Sequence, residues 1–134
     1  MIGLDANVLV RYLMIDPDEP GQSQLARSTV ELALERGEPL FVSNIVLCES
    51  VWAWMQIYKV TRQGVSNALD WILEQPLIKV ESHSTVSRAA QMFKRCTVDF
   101  ADLMIVTTSE ESGCNTTYTF DKAASKIEGF SLLK

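Results

Sequence analysis

The chain has 134 residues, a formal net charge of −5, and 47% hydrophobic and 22% charged residues. That length suits one domain over residues 1–134 with a real core, and the balance excludes disordered and fibrous classes. No apolar run approaches the ~18 residues of a membrane span, and no basic stretch leading into an apolar core marks a signal peptide.

Residues 2–4 form a short apolar run that reads as a buried strand; it ends at Asp5, with Asn7 two positions on. Residues 8–14 read as a helix, closed by the breaker cluster Asp16-Pro17-Asp18-Glu19-Pro20-Gly21. A second helix spans 22–36 on a stripe of Leu25, Val30, Leu32 and Ala33, with Gly37 as its C′ residue. Residues 39–42 are the next strand, and Ser43 or Asn44 caps a long helix from 45 to about 59. Segment 61–64 breaks and restarts a helix whose apolar face is Val65, Leu69, Ile72 and Leu73, stopped by Gln75-Pro76.

Residues 77–81 give a third strand, and Ser84 or Thr85 caps a helix through Cys96. Residues 100–112 form another helix, with Gly113 at its end. The β-formers at 116–120 give a fourth strand, followed by a short helix at 121–127 and an edge strand at 130–132. Strands alternating with helices predict an α/β fold: a three-layer α/β/α sandwich around a short, mainly parallel sheet of four to five strands.

Five acids stand where chemistry could be done: Asp5, Glu49, Asp99, Asp102 and Asp121. Each has a plain structural alternative. Asp5 and Asp121 each stand between a strand and a helix and can cap that helix; Asp99 is a natural N-cap, with Asp102 at N3 beside the positive end of the dipole. Glu49 has Ile45, Val46, Trp52 and Ala53 as its helical neighbours, so it is expected to be mostly removed from water and in need of a partner, a proton or a metal. A parallel sheet gathers strand ends at one edge, so the acids are expected to converge. Converging carboxylates raise one another's pKa, and a hard divalent cation such as Mg²⁺ or Mn²⁺ relieves them. Setting these five aside leaves 12 of the 17 acids against 12 Lys plus Arg, so the acidic total does not exclude a phosphate substrate.

Leu4-Asp5-Ala6-Asn7, Glu49, Asp99-Phe100-Ala101-Asp102 and Thr119-Phe120-Asp121, in this order, resemble the motifs of PIN-domain ribonucleases over nearly the whole chain. The subgroup they are most similar to is the VapC toxins of type II toxin–antitoxin pairs. The resemblance implies a PIN-like fold in which Asp5, Glu49, Asp102 and Asp121 hold metal, Asp121 through a water, with Asp99 as an accessory acid. Asn7 and Thr119 would orient them. It further implies Mg²⁺- or Mn²⁺-dependent hydrolysis of RNA phosphodiesters, a cytoplasmic homodimer, and an antitoxin partner whose C-terminal segment covers the acids. Two departures stand out: Ala6 replaces the usual Thr or Ser, and Ile105-Val106-Thr107-Thr108-Ser109 replaces a more Ala-rich helix.

Two other functions compete. One is a non-catalytic, acidic-pocket partner-binding module like a response-regulator receiver; it needs a phospho-accepting Asp on a central strand and a later strand-end Lys, and neither is present. The other keeps the nuclease but acts on structured DNA or flaps. His83, the single histidine, reads as a solvated loop residue. No phosphate-binding glycine motif or nucleophile elbow occurs. Cys48, Cys96 and Cys114 are odd in number and widely spaced, as expected of free thiols in a reducing compartment. Arg11, Arg88, Lys94, Arg95 and Lys122 are candidate phosphate contacts. Residues 51–58 with Trp71 carry more apolar bulk than one helix face buries, which marks part of that surface as an interface.

Overall fold

A computed structural model describes all 134 residues. The chain divides into two compact units, Met1–His83 and Ser84–Lys134. Its five strands are all parallel and fall into a sheet of three and a sheet of two, rather than the single sheet expected.

In the first unit the order is β1 (Ile2–Gly3), α1 (Ala6–Leu13), α2 (Pro20–Glu35), β2 (Leu40–Val42), α3 (Asn44–Gln56), α4 (Arg62–Glu74) and β3 (Ile78–Val80). The strands lie β1-β2-β3, with Ile2 beside Leu40 and Leu40 beside Ile78. The central strand is buried through Leu40 and Val42. β1 is not the buried strand expected: it is a two-residue edge strand, paired on one side only, and Ile2 stays exposed. Two helices separate each strand from the next, as parallel pairing requires a long crossover. All three strand ends therefore face one edge, where Asp5, Ser43 and Glu81 follow them.

Local chemistry explains where the helices begin and end. Asp5 accepts from the Ala6 N–H at 2.7 Å and opens α1. α2 begins at Pro20, two residues ahead of the expected start, because proline at the first helical position sacrifices no intrahelical bond. Its inner face keeps Val30 and Ala33 of the expected stripe but not Leu25 and Leu32. Ser23, Ala26, Val30 and Ala33 are buried, while Leu25 and Leu32 point to solvent, because close packing on α1 takes the small side chains. Ser43 caps α3 through the Val46 N–H at 3.2 Å. That helix stops at Gln56, short of 59, where Lys59 turns left-handed (φ 56°) and the Val60 N–H returns to the Trp54 carbonyl. The helix restarts where expected: Thr61 caps α4 through the Gly64 N–H at 3.1 Å, with Gly64 inside the first turn. The core of this unit holds Leu9, Val30, Leu47, Val65, Leu69 and Ile72, each fully buried. Trp54 is buried too, and its indole N–H reaches the Val10 carbonyl.

The second unit contains α5 (His83–Phe93) from its second residue on, α6 (Phe100–Glu111), β4 (Thr117–Thr119), a 3₁₀ turn (Ala124–Lys126) and β5 (Phe130–Leu132). α5 is already helical at His83 and ends before Cys96; Thr85 does not cap it but is buried, donating its hydroxyl to Glu111. Phe93 and Phe100 meet edge to face with centroids 5.9 Å apart, and Val86, Leu103 and Val106 complete the apolar interior. The expected helix at 121–127 shrinks to the single 3₁₀ turn, which carries the chain from β4 into parallel pairing with β5.

Candidate active site

The first unit holds an open cleft of about 580 Å³ between α1 and the second half of α3. Asp5, Asn7 and Arg11 line one wall; Cys48, Glu49, Trp52 and Tyr58 line the other. Asp5 is placed there by its position after β1, and one of its oxygens serves the helix cap while the other is free. Glu49 reaches the cleft from the middle of α3 and makes no hydrogen bond or ion pair. The expectation that Glu49 would be withdrawn from water is wrong: it is exposed. Its apolar neighbours do not bury it because they are themselves outside, Ile45 at 70% and Trp52 at 61% exposure. The buried side of α3 is the other one, Leu47, Ser50, Val51 and Trp54.

Burial first, and the Glu49 charge second, push the thiol pKa of Cys48, beside Glu49, up, which disfavours the thiolate. Of the cationic residues proposed for phosphate, Arg11 is engaged by Asp16 at 3.2 Å, and Arg88 by Glu110 at 2.7 Å and Glu111 at 3.5 Å.

The second unit holds the other three acids. Asp99 occupies the N-cap position of α6 but makes no capping bond, which leaves its carboxylate free. Asp102 lies in the first turn of α6, half-buried. Burial raises the pKa of its carboxyl above the usual range, and the charges of Asp99 and Asp121 raise it further. Asp121 accepts from the N–H groups of Ala123 (2.8 Å) and Ala124 (3.1 Å), and its own N–H donates to the Thr119 hydroxyl at 3.0 Å. Thr119 thus fixes the backbone at Asp121, while Asn7 lines the cleft and lends its carbonyl to Arg11.

No group of three or more His, Cys, Asp or Glu side chains forms a ready metal cage, so the expected convergence of acids is not displayed in that form. Within their own units, Asp5 and Asp121 each commit an oxygen to backbone N–H groups. The donor set nevertheless suits a hard cation. It is all oxygen, and Mg²⁺ takes one or two carboxylates and keeps several waters rather than demanding a full protein cage.

The model of the PIN domain family matches residues 2–129. The chain belongs to the PIN domain family. Members of this family are generally nucleases that use a divalent metal, which makes a hydrolase role the coarse reading of this PIN domain. Neither a curated protein nor a solved structure matches the chain. No helix of the PIN domain is long and apolar enough to cross a membrane.

Two residues beside the cleft escaped the sequence reading. Asp16 lay inside a cluster of breakers and Tyr58 inside a run of apolar bulk, yet the Tyr58 hydroxyl donates to Asp16 at 2.7 Å. That bond is the main cause of a lowered Asp16 carboxyl pKa and a raised Tyr58 pKa. No spacing rule links positions 42 apart; an Asp just beyond a helix with Arg11 in its last turn was the only available signal.

Proposed function

We propose that this PIN domain is a metal-dependent endoribonuclease of the VapC toxin type. The observation that carries it is the pair of acids without a cationic partner, Asp5 and Glu49, in one open cleft of a chain whose family is nucleolytic. Asp5, Glu49, Asp102 and Asp121 are assigned to Mg²⁺ or Mn²⁺, Asp99 is accessory, and Asn7 and Thr119 are supports. When bound, such an ion supplies the positive charge that polarises a scissile phosphodiester and makes water acidic enough to attack it. Asp5 contributes the oxygen its helix cap leaves free, and Glu49 an uncommitted carboxylate. Asp102, crowded by two like charges, gains most from a cation nearby. Thr119 steadies Asp121 through the backbone.

The reading includes a homodimer, an antitoxin that covers the acids, and a cytoplasmic setting. Ile45, Trp52 and Ile57, exposed on and just beyond α3, supply apolar surface for such partners. The test is cleavage of single-stranded RNA with Mg²⁺ or Mn²⁺, repeated with EDTA and with Glu49→Gln. Cleavage that survives both controls would remove the mechanism. The same assay on flap DNA separates an RNA from a DNA nuclease, and light scattering that finds only monomer at micromolar concentration would remove the dimer.

A further inference from the structure

Behind the cleft of the first unit lies a network built on Asp16, which is buried at 5% exposure. Its Oδ2 accepts from the Tyr58 hydroxyl at 2.7 Å and pairs with Arg11 Nη2 at 3.2 Å. Its Oδ1 accepts from the N–H groups of Asp18 at 2.9 Å and Glu19 at 3.2 Å. A carboxylate offers about four lone-pair sites, so this one is filled. The Asp16 N–H in turn donates to the Ser23 hydroxyl at 2.7 Å, which fixes the loop on α2.

Arg11 links this network to the acids. It lines the cleft that Asp5 and Glu49 line, yet its ion pair is with Asp16. Its Nη1 donates to the Asn7 carbonyl at 3.2 Å, and its Nε is buried without an acceptor. A half-buried guanidinium that loses its counter-charge takes another carboxylate, because such pairs are strong and the uncompensated charge is costly. The carboxylates on offer in that cleft are Asp5 and Glu49. Either one, once held by a guanidinium, has less charge and fewer lone pairs for a cation.

We propose that Asp16 is a positioning residue: by holding the Arg11 guanidinium it keeps Asp5 and Glu49 free for a divalent cation. This rests on the metal-dependent reading above. It assigns Asp16 no contact with substrate or metal.

The test is calorimetric titration of the full chain with Mn²⁺, in the original sequence and in Asp16→Asn, Arg11→Gln and the double variant. Asparagine keeps an oxygen for the Asp18 and Glu19 N–H groups but removes the charge. Asp16→Asn is expected to weaken Mn²⁺ about tenfold, the scale of one charge-assisted interaction. Adding Arg11→Gln is expected to restore affinity to within about threefold, since no guanidinium remains to compete. Arg11→Gln alone is expected to stay within that same range. A purely structural role for Asp16 would leave the double variant as weak as the single one. That result, or full affinity in Asp16→Asn, overturns the proposal. If Asp16→Asn does not fold, Arg11→Gln decides: tenfold tighter Mn²⁺ would mean that Arg11 already competes, which also overturns it. Absence of Mn²⁺ binding in the original sequence would remove the nuclease reading along with this proposal. Intact binding there, unchanged in Asp16→Asn, removes this proposal alone.

Discussion

Asp5 has two roles, and two substitutions separate them. Its Oδ1 caps α1, while its charge is assigned to the metal. Asparagine is as good an N-cap as aspartate, so Asp5→Asn keeps the bond to Ala6 and the fold. Alanine loses that bond, at about 1 kcal/mol. Over 134 residues the entropy of unfolding is about 0.28 kcal/mol/K, so Asp5→Ala should melt about 3–4 °C lower. Both variants lose the carboxylate. Removing even an outer partner of a metal ligand typically costs 10–100-fold, so RNA cleavage should fall by about a hundredfold or more in each. Differential scanning calorimetry in EDTA and a gel-based cleavage assay in Mn²⁺ read the two effects independently. Asp5→Asn cleaving at the original rate would end its role as a ligand, and Asp5→Asn melting as low as Asp5→Ala would show that the cap does not explain its place in the fold.

Three further outcomes are expected. Phe93→Ala, which removes a fully buried ring packed edge to face on Phe100, should lower unfolding free energy by about 3–5 kcal/mol in a urea titration. Lys59→Gly should raise stability by about 0.5–1 kcal/mol in the same assay, because the exposed Lys59 holds a φ of 56° that glycine adopts freely. The third concerns pH. The Asp102 carboxyl pKa is raised in the folded state above its ordinary 3.8, so the folded chain binds that proton more tightly than the unfolded chain. Asp102 therefore costs nothing below 3.8, and stability declines as pH climbs from there through the raised folded value. In EDTA at neutral pH, Asp102→Asn should melt above the original sequence, and the gap should close below the ordinary value; a gap that is constant with pH would refute the assignment.

The elements legible in the sequence were those governed by local rules. Ser43 and the apolar run before it marked both β2 and the start of α3, and Val65, Leu69 and Ile72 marked the inner face of α4. Misreadings arose where tertiary packing chose between equally apolar faces. Leu25 and Leu32 outweigh Ser23 and Ala26 in hydrophobicity, yet the close approach of α1 favours the smaller pair. Ile45 and Trp52 made Glu49 look buried; periodicity says that a helix has an apolar face but not which way that face turns. The acids were found by type and order, which are sequence properties. The Asp16 network was not, because Tyr58 lies 42 residues away and no local pattern ties the breaker cluster at Asp16 to Arg11.

The exposure of Trp52 gives the cleft an optical reporter. The three tryptophans sit in different surroundings: Trp54 is buried, Trp71 is half-buried against Tyr12, and Trp52 stands in water three residues from Glu49. A Trp54→Phe, Trp71→Phe background would leave Trp52 as the sole indole emitter. Its red-shifted emission would then follow quenching by Mn²⁺ and occupancy of the cleft in real time, with no label added to the chain.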